Sequence, residues 1–326
     1  RRAVTPAFAV GKVIVRTTAA LMRLGNSVVL ALATHTLVRE CEAMKEKRRG
    51  LAKAHSSCSA PCTDDREAWL AQRIADLGYA QTEGAHAHQL PYERTGRAHF
   101  ACPQLIAGGV SCTHLPRSLR SVTAWLLQER LRYTGRSAEV GVWMGEFSLK
   151  VLRGWPLGSR HFLVDPWQQE SNCSTASGNG NNDKHCTVSN RAFEKVYQGV
   201  VQSMSRFSNR ITILREYSST AAEKVEDRSL DHIYIDARHD YKGVSEDLNV
   251  WWDKLCPGGL FAGHDFTPGW PGVVRAVTEF MLAHKEEVAA FSITADGGST
   301  PPTWLVFRTP VSCQRHALRA SAGRSN

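Results

Sequence analysis

Residues 138–165, AEVGVWMGEFSLKVLRGWPLGSRHFLVD, decide the fold. Ala138–Val142 is an apolar run that reads as a strand. Gly141 and Gly145 break the run, and helical spacing continues through Lys150. His161–Val164 is a second apolar run and closes on Asp165, 24 residues beyond Gly141. A strand, a glycine turn, a helix and a strand ending in an acid form one unit of a nucleotide-binding α/β sheet. The glycines let a ligand approach the backbone, and the acid can accept hydrogen bonds from both hydroxyls of a ribose.

Downstream the alternation continues. Phe193–Ser205 reads as a helix, Ile211–Leu214 as a third strand, Ser219–Val225 as a short helix and His232–Ile235 as a fourth strand. Val244–Leu255 is helical and ends before the breaker Cys-Pro-Gly-Gly; Leu260–Gly263 is a fifth strand. Val273–His284 is a helix, and Ala290–Thr294 and Trp304–Arg308 follow without a helix between them. The pattern predicts a Rossmann-like α/β fold: a seven-stranded, mostly parallel sheet with helices on both faces and an antiparallel hairpin at the edge.

Upstream, Ser118–Tyr133 reads as a helix opening the domain, taken as residues 118–310. Residues 54–117 are read as linker and helical cap: small polar residues at 54–64, helical spacing through Trp69, Leu70, Ile74 and Leu77, then loops over 81–117. Residues 311–326 are expected to be a disordered tail. Residues 1–53 form a basic, helical or irregular extension. With no acid before Glu40, and with Arg1, Arg2, Lys12, Arg16 and Arg23 interspersed among Ala, Thr and Val, it suits an organelle transit peptide. Its apolar run Leu24–Val38, followed by a basic cluster, suits a short signal anchor, and an ordinary amphipathic helix is the third reading. At 15 residues the run is short of the roughly 20 that span a bilayer, so membrane association is one reading among three.

The net charge of +9 suggests nucleic acid at first sight, but residues 1–53 carry +8 of it and the remainder +1. A near-neutral body gives no electrostatic reason for a polyanionic partner, and no nucleic acid is expected. The nine cysteines have no zinc-site spacing. Cys173 and Cys186 flank a polar loop at 170–190 that is either a lid or a surface insertion; they fit a disulfide or two free thiols equally. Asn172-Cys-Ser174 is a glycosylation sequon.

The turn reads G-x-x-x-G, not the G-x-G-x-x-G of a dinucleotide site, so a cofactor without phosphates fits better. Glu139-x-Gly141-x-x-x-Gly145 resembles the first motif of class I S-adenosylmethionine-dependent methyltransferases. The segment from Tyr234-Ile-Asp236-Ala-Arg-His239 through Pro257-Gly258-Gly259 to Gly263-His264-Asp265-Phe266 resembles the macrocin O-methyltransferase-like branch. The resemblance spans roughly residues 118–308 and implies a seven-stranded sheet with its last strand antiparallel. It implies S-adenosylmethionine as cofactor, with Glu139, Gly141, Gly145, Ser148, Asp165, Ser218 and Asp236 as binding residues. In that assignment the Gly141 turn faces the methionine part, Asp165 the ribose, and Tyr217 and Ser218 the adenine.

Asp236 and Asp265 end the fourth and fifth strands, where ligands bind in open α/β sheets. Two carboxylates there attract a hard cation such as Mg2+. The resemblance implies Asp236, His264 and Asp265 as its ligands, with His264 standing where an acid is usual. His239 and Asp236 are the candidate catalytic residues, His239 as general base for a hydroxyl proton. Asp247 is read as a solvated or capping acid, and Trp251 and Trp252 as core. The expected acceptor is a hydroxyl of a small molecule or sugar. An NAD(P)-dependent oxidoreductase and a non-catalytic membrane-associated module are the competing readings.

Overall fold

The computed structural model describes residues 58–60, 62–83, 102–115, 122–170, 184–294 and 301–312. The run Leu24–Val38, the sequon at Asn172, Cys173 and residues 313–326 lie outside them. In chain order the elements begin with α1 (Arg66–Glu83), α2 (Cys102–Ala107), β1 (Cys112–Leu115) and α3 (Val122–Trp125), which continues as a π turn over Leu126–Arg130. Then come β2 (Arg136–Val140), α4 (Glu146–Gly154), β3 (Arg160–Val164), α5 (Lys184–Thr187), α6 (Asn190–Met204) and β4 (Ile211–Leu214). The rest are α7 (Ser218–Glu223), β5 (Leu230–Ile235), α8 (Tyr241–Trp252), β6 (Leu255–Gly263), α9 (Pro271–Ala283), β7 (Val288–Thr294) and β8 (Trp304–Arg308).

One sheet runs in the order β1-β7-β8-β6-β5-β2-β3-β4, and every neighbouring pair is parallel except those made by β8. The Rossmann-like architecture is therefore as expected, with two differences. The sheet has eight strands among the described residues, because Cys112–Leu115 adds to β7. The final hairpin is not at the edge: β8 inserts between β6 and β7, and β1 covers β7. CTHL shows no period-2 alternation, so only its partner strand declares it.

Central strands sort their side chains with period two. Ile233 and Ile235 of β5 join one core with Phe261, Trp251 and Phe280, while Tyr234 joins the other with Leu260, Phe147 and Trp155. Both faces are covered, which is why these strands read as continuous apolar runs. Burial of each such large side chain contributes about 1.5–3 kcal/mol. Trp251 and Trp252 are core residues, as read from sequence. On α1, Trp69 and Leu77 are buried but Ile74 is 46% exposed, so the buried stripe is narrower than the spacing suggested.

α8 ends at Trp252, and Cys-Pro-Gly-Gly lies inside β6 as a bulge, with Asp231 of β5 alone facing these four residues of β6. Arg308 crosses to this corner and donates to the carbonyls of Trp252 (2.8 Å) and Leu255 (3.0 Å), satisfying acceptors that the ended helix leaves. The amino-terminal rim of the sheet is closed by residues 58–60 and 62–64. Cys58 is disulfide-bonded to Cys256, Ser59 N–H donates to Asp231 Oδ1 (2.9 Å), and Gly135 N–H to Asp231 Oδ2 (3.0 Å). Cys102 is bonded to Cys112; Cys62 and Cys186 are also in disulfides.

Candidate active site

β2 turns toward β3 on one side while β5 and β6 lie on the other, so strand order reverses between β2 and β5. Such a switch point opens a crevice at the carboxyl ends of the strands. Four site residues make one row there. His264 N–H donates to the Ile235 carbonyl (3.0 Å), Asp236 N–H to Val140 (2.7 Å), Gly141 N–H to Val164 (2.8 Å) and Asp165 N–H to Leu214 (3.2 Å). The sheet ladder thus carries on one residue past each strand and fixes these four on a single rim.

Gly141 sits at φ +90°, and a Cβ there would lie 2.0 Å from the Asp236 carbonyl oxygen. Only glycine allows the two strand ends to meet this closely. Asp165 uses its carboxylate to hold the turn: Oδ2 accepts from Trp143 N–H (2.9 Å) and Oδ1 from Trp167 N–H (2.7 Å). Burial pushes this carboxyl up, against the pull of those backbone donors. Trp143 and Trp167 take positive φ, at 50° and 42°, as does Asp265 at 58°. Strained backbone of this kind gathers at ligand sites.

Glu139 lines the cleft and accepts from Ser148 Oγ. Ser148 in turn contacts His161 Nε2 (2.9 Å), whose Nδ1 meets Ser137 Oγ (2.6 Å). Burial lowers His161 to about 3, so this relay is neutral at its centre. Two of the expected cofactor residues stand behind the lining. Ser148 is fully buried and stands behind Glu139, and Gly145 at φ +78° shapes the turn beside Met204. Neither lines the cleft.

At the ends of β5 and β6, Asp236, His239 and Asp265 bring ligand atoms within 4.8 Å of one another. His239 Nε2 is 2.8 Å from Asp265 Oδ2 and 3.9 Å from Asp236 Oδ1. His264 Nδ1 is 3.1 Å from Asp265 Oδ2 and 3.7 Å from Asp236 Oδ1. Burial raises the Asp265 carboxyl, but hydrogen bonds from His239 and His264 outweigh it and hold the group below the usual carboxylate range. Trp270 stacks on His239 at 4.4 Å. The cluster unites the sequence-derived Asp236, His239, His264 and Asp265; the closest three-residue ligand group contains His239 where His264 was expected.

The cleft has a volume of about 620 Å3. Nine of its lining residues are Asp or Glu, against one Arg and no Lys, and that Arg238 is paired with Asp240 (2.8 Å). Glu170 and His185, on either side of residues 171–183, both line it. None of the described residues of 54–117 lines it. Sequence reading missed Trp143, Phe147, His185 and Trp270, which have no spacing signature. It misplaced Asp247, which is 6% exposed and faces the cleft.

Residues 138–266 match the family model described as a methyltransferase domain. That supports a class I methyltransferase. The matched stretch is less than half the chain and holds Glu139, Gly141, Asp165, Asp236, His239 and Asp265. An uncharacterized protein, y4gI, of Sinorhizobium fredii is 28% identical over 109 residues, 33% of this chain and 10% of the relative. The chain thus matches about a tenth of that curated relative's length. The O-methyltransferase TomG of Streptomyces achromogenes is similar at 14% identity over 75% of this chain and 99% of its own, with a TM-score of 0.41. An rRNA methylase of Streptococcus thermophilus is similar at 12% identity, 54% and 86% coverage, and a TM-score of 0.36. Scores of this size assign no activity to the present chain.

Proposed function

We propose that the protein is an S-adenosylmethionine-dependent O-methyltransferase acting on a hydroxyl of a small molecule or sugar, with the macrocin O-methyltransferase-like branch as its nearest kind. The observation that carries this is the row of Gly141, Asp165, Asp236 and His264 along one rim, with His239 and Asp265 beside it. A cleft of about 620 Å3 suits a nucleoside joined to an amino acid. Its excess of carboxylates suits a cationic sulfonium and disfavours phosphate. A dinucleotide would bring a pyrophosphate against that field, and so would a nucleic-acid acceptor.

When bound, the cofactor supplies an electrophilic methyl on a good leaving group. The chain's part is to seat the acceptor and take its proton. Asp265 accepts from the Nε2–H of His239, which fixes the tautomer whose Nδ1 carries the basic lone pair. Asp236 orients the acceptor hydroxyl, and the alignment itself supplies much of the rate. Asp236, Asp265 and an imidazole would also hold a divalent ion, which would lower the pKa of the hydroxyl. The imidazole suits Mn2+ or Zn2+ better than Mg2+. His239 is then a ligand, not a base, and turnover with and without a chelator separates the two.

The test is transfer of labelled methyl to a panel of glycosides, phenols, small acids and short RNAs. His239→Ala should remove transfer to hydroxyls and leave cofactor binding intact. Methylation of RNA alone, or unchanged turnover in the variant, would overturn the proposal.

A further inference from the structure

Glu139 is buried, yet it lines the cleft. A buried carboxylate is unfavourable unless hydrogen bonds receive it. It is met by a thread of polar side chains in an otherwise apolar layer under α4. Ser137 and Glu139 share one face of β2, two residues apart, and His161 of β3 stands opposite Ser137 in register. Ser148 reaches the same place from α4. Phe147, Val151, Trp155 and Tyr234 belong to the surrounding core. All four polar residues of the thread are buried.

Chemistry fixes the order of donors along it. A carboxylate only accepts, so the Ser148 hydroxyl commits its one hydrogen to Glu139. The Ser148 oxygen must then accept from His161 Nε2–H, at 2.9 Å. Burial lowers His161 to about 3, so the ring is neutral and its Nδ1 accepts from the Ser137 hydroxyl at 2.6 Å. Every hydrogen in the thread points toward the cleft. The thread ends at Ser137, inside the core, so it carries no proton to solvent; it can only hold the carboxylate.

A second buried histidine shows what the fold asks for by itself. His232 of β5 is the register partner of Ser137 on its other side, is fully buried and is likewise lowered to about 3. Neither of its ring nitrogens has a hydrogen bond among the described residues. The layer thus accommodates a histidine that holds nothing, whereas both nitrogens of His161 are engaged on the way to Glu139.

We propose that Ser148, His161 and Ser137 are positioning residues, a one-way hydrogen-bond thread that turns Glu139 toward the bound cofactor and keeps it there as an acceptor. This rests on the S-adenosylmethionine reading, in which Glu139 is a binding residue.

The experiment is calorimetric titration of the full chain with S-adenosylhomocysteine. Ser148→Ala and His161→Leu should each weaken binding by about tenfold, the usual scale of a hydrogen bond to a charged group. His161→Gln can still donate to Ser148 from its amide and should regain most of the wild-type affinity. His232→Leu removes an equally buried ring outside the thread and should leave the affinity unchanged. In a Glu139→Ala background, Ser148→Ala should add little further loss, because both changes act through one acceptor. A folded Ser148→Ala or His161→Leu chain that binds as wild type overturns the proposal. Equal losses in His161→Leu and His232→Leu do the same, since burial of the layer would then be the cause, as does full additivity of Ser148→Ala with Glu139→Ala. If a leucine variant does not fold, nitrogen NMR of the wild type decides: His161 should carry its proton on Nε2, and a proton on Nδ1 overturns the thread. A wild type that does not bind S-adenosylhomocysteine overturns the cofactor reading itself.

Discussion

Strand β5 has an aspartate near each end, and the two rims of the sheet treat them in opposite ways. At the amino-terminal rim, Asp231 is buried and both its oxygens are taken by the backbone N–H groups of Ser59 and Gly135. At the carboxyl-terminal rim, Asp236 is only partly buried, faces the cleft and stands 3.7–3.9 Å from two histidines. The first carboxylate closes a structure; the second is left where chemistry can reach it. Glycines mark the same divide. Gly141 brings two strand ends together under the cleft, whereas Gly258, at φ +81°, makes room for Ala60 of the closing segment.

Mutations can break or sharpen this division. The largest effect on cofactor binding is expected at Gly141. Gly141→Val should weaken S-adenosylhomocysteine binding by about 100-fold or more in a titration, since the side chain would displace the Asp236 backbone. Gly258→Ala should lower the melting temperature and leave binding in place. Next, Asp265→Asn should reduce turnover by about 10²–10⁴-fold, the usual scale of acid–base catalysis, without loss of stability on that scale. Asp231→Asn should instead cost about 1–3 kcal/mol in denaturant unfolding, with normal turnover below the transition. Replacing Cys58 and Cys256 together by serine should cost about 2–4 kcal/mol and spare the initial rate at 25 °C.

The smallest effect is a slope. Folding raises Asp247 to about 7, so between about pH 4 and 7 the folded chain holds a proton that the unfolded chain has lost. Its contribution to stability is complete below that window, falls by at most ~1.4 kcal/mol per pH unit through it, and is level above. His161 and His232, both lowered to about 3 by burial, slope the other way, gaining stability as pH rises toward 6.5. The readable quantity is therefore wild type minus Asp247→Asn across pH 4–7 by urea unfolding. A flat difference would mean that Asp247 is ionised in the folded chain.

The two rims also differed in how far the sequence revealed them. Ile211–Leu214 and Trp304–Arg308 are strands with the boundaries their apolar runs suggested. The row of Gly141, Asp165, Asp236 and His264 was legible because each follows a strand, and strand ends in a parallel sheet share one side. The closing segment was not. Residues 58–64 read as a linker, since the disulfide and the Ser59–Asp231 bonds join positions more than 170 apart in sequence. Cys-Pro-Gly-Gly spoke of a break, and a bulge within a strand uses the same residues. Asp247 looked solvated because a helix's own period does not tell which side its neighbour α7 will cover.

The covalent tie between Cys58 and Cys256 has a practical consequence. A glutathione-rich cytosol keeps such thiols reduced, so recombinant chain made there would emerge with its closing segment untethered. Material folded under oxidising conditions, and checked by alkylation and mass spectrometry, is the form that carries this tie.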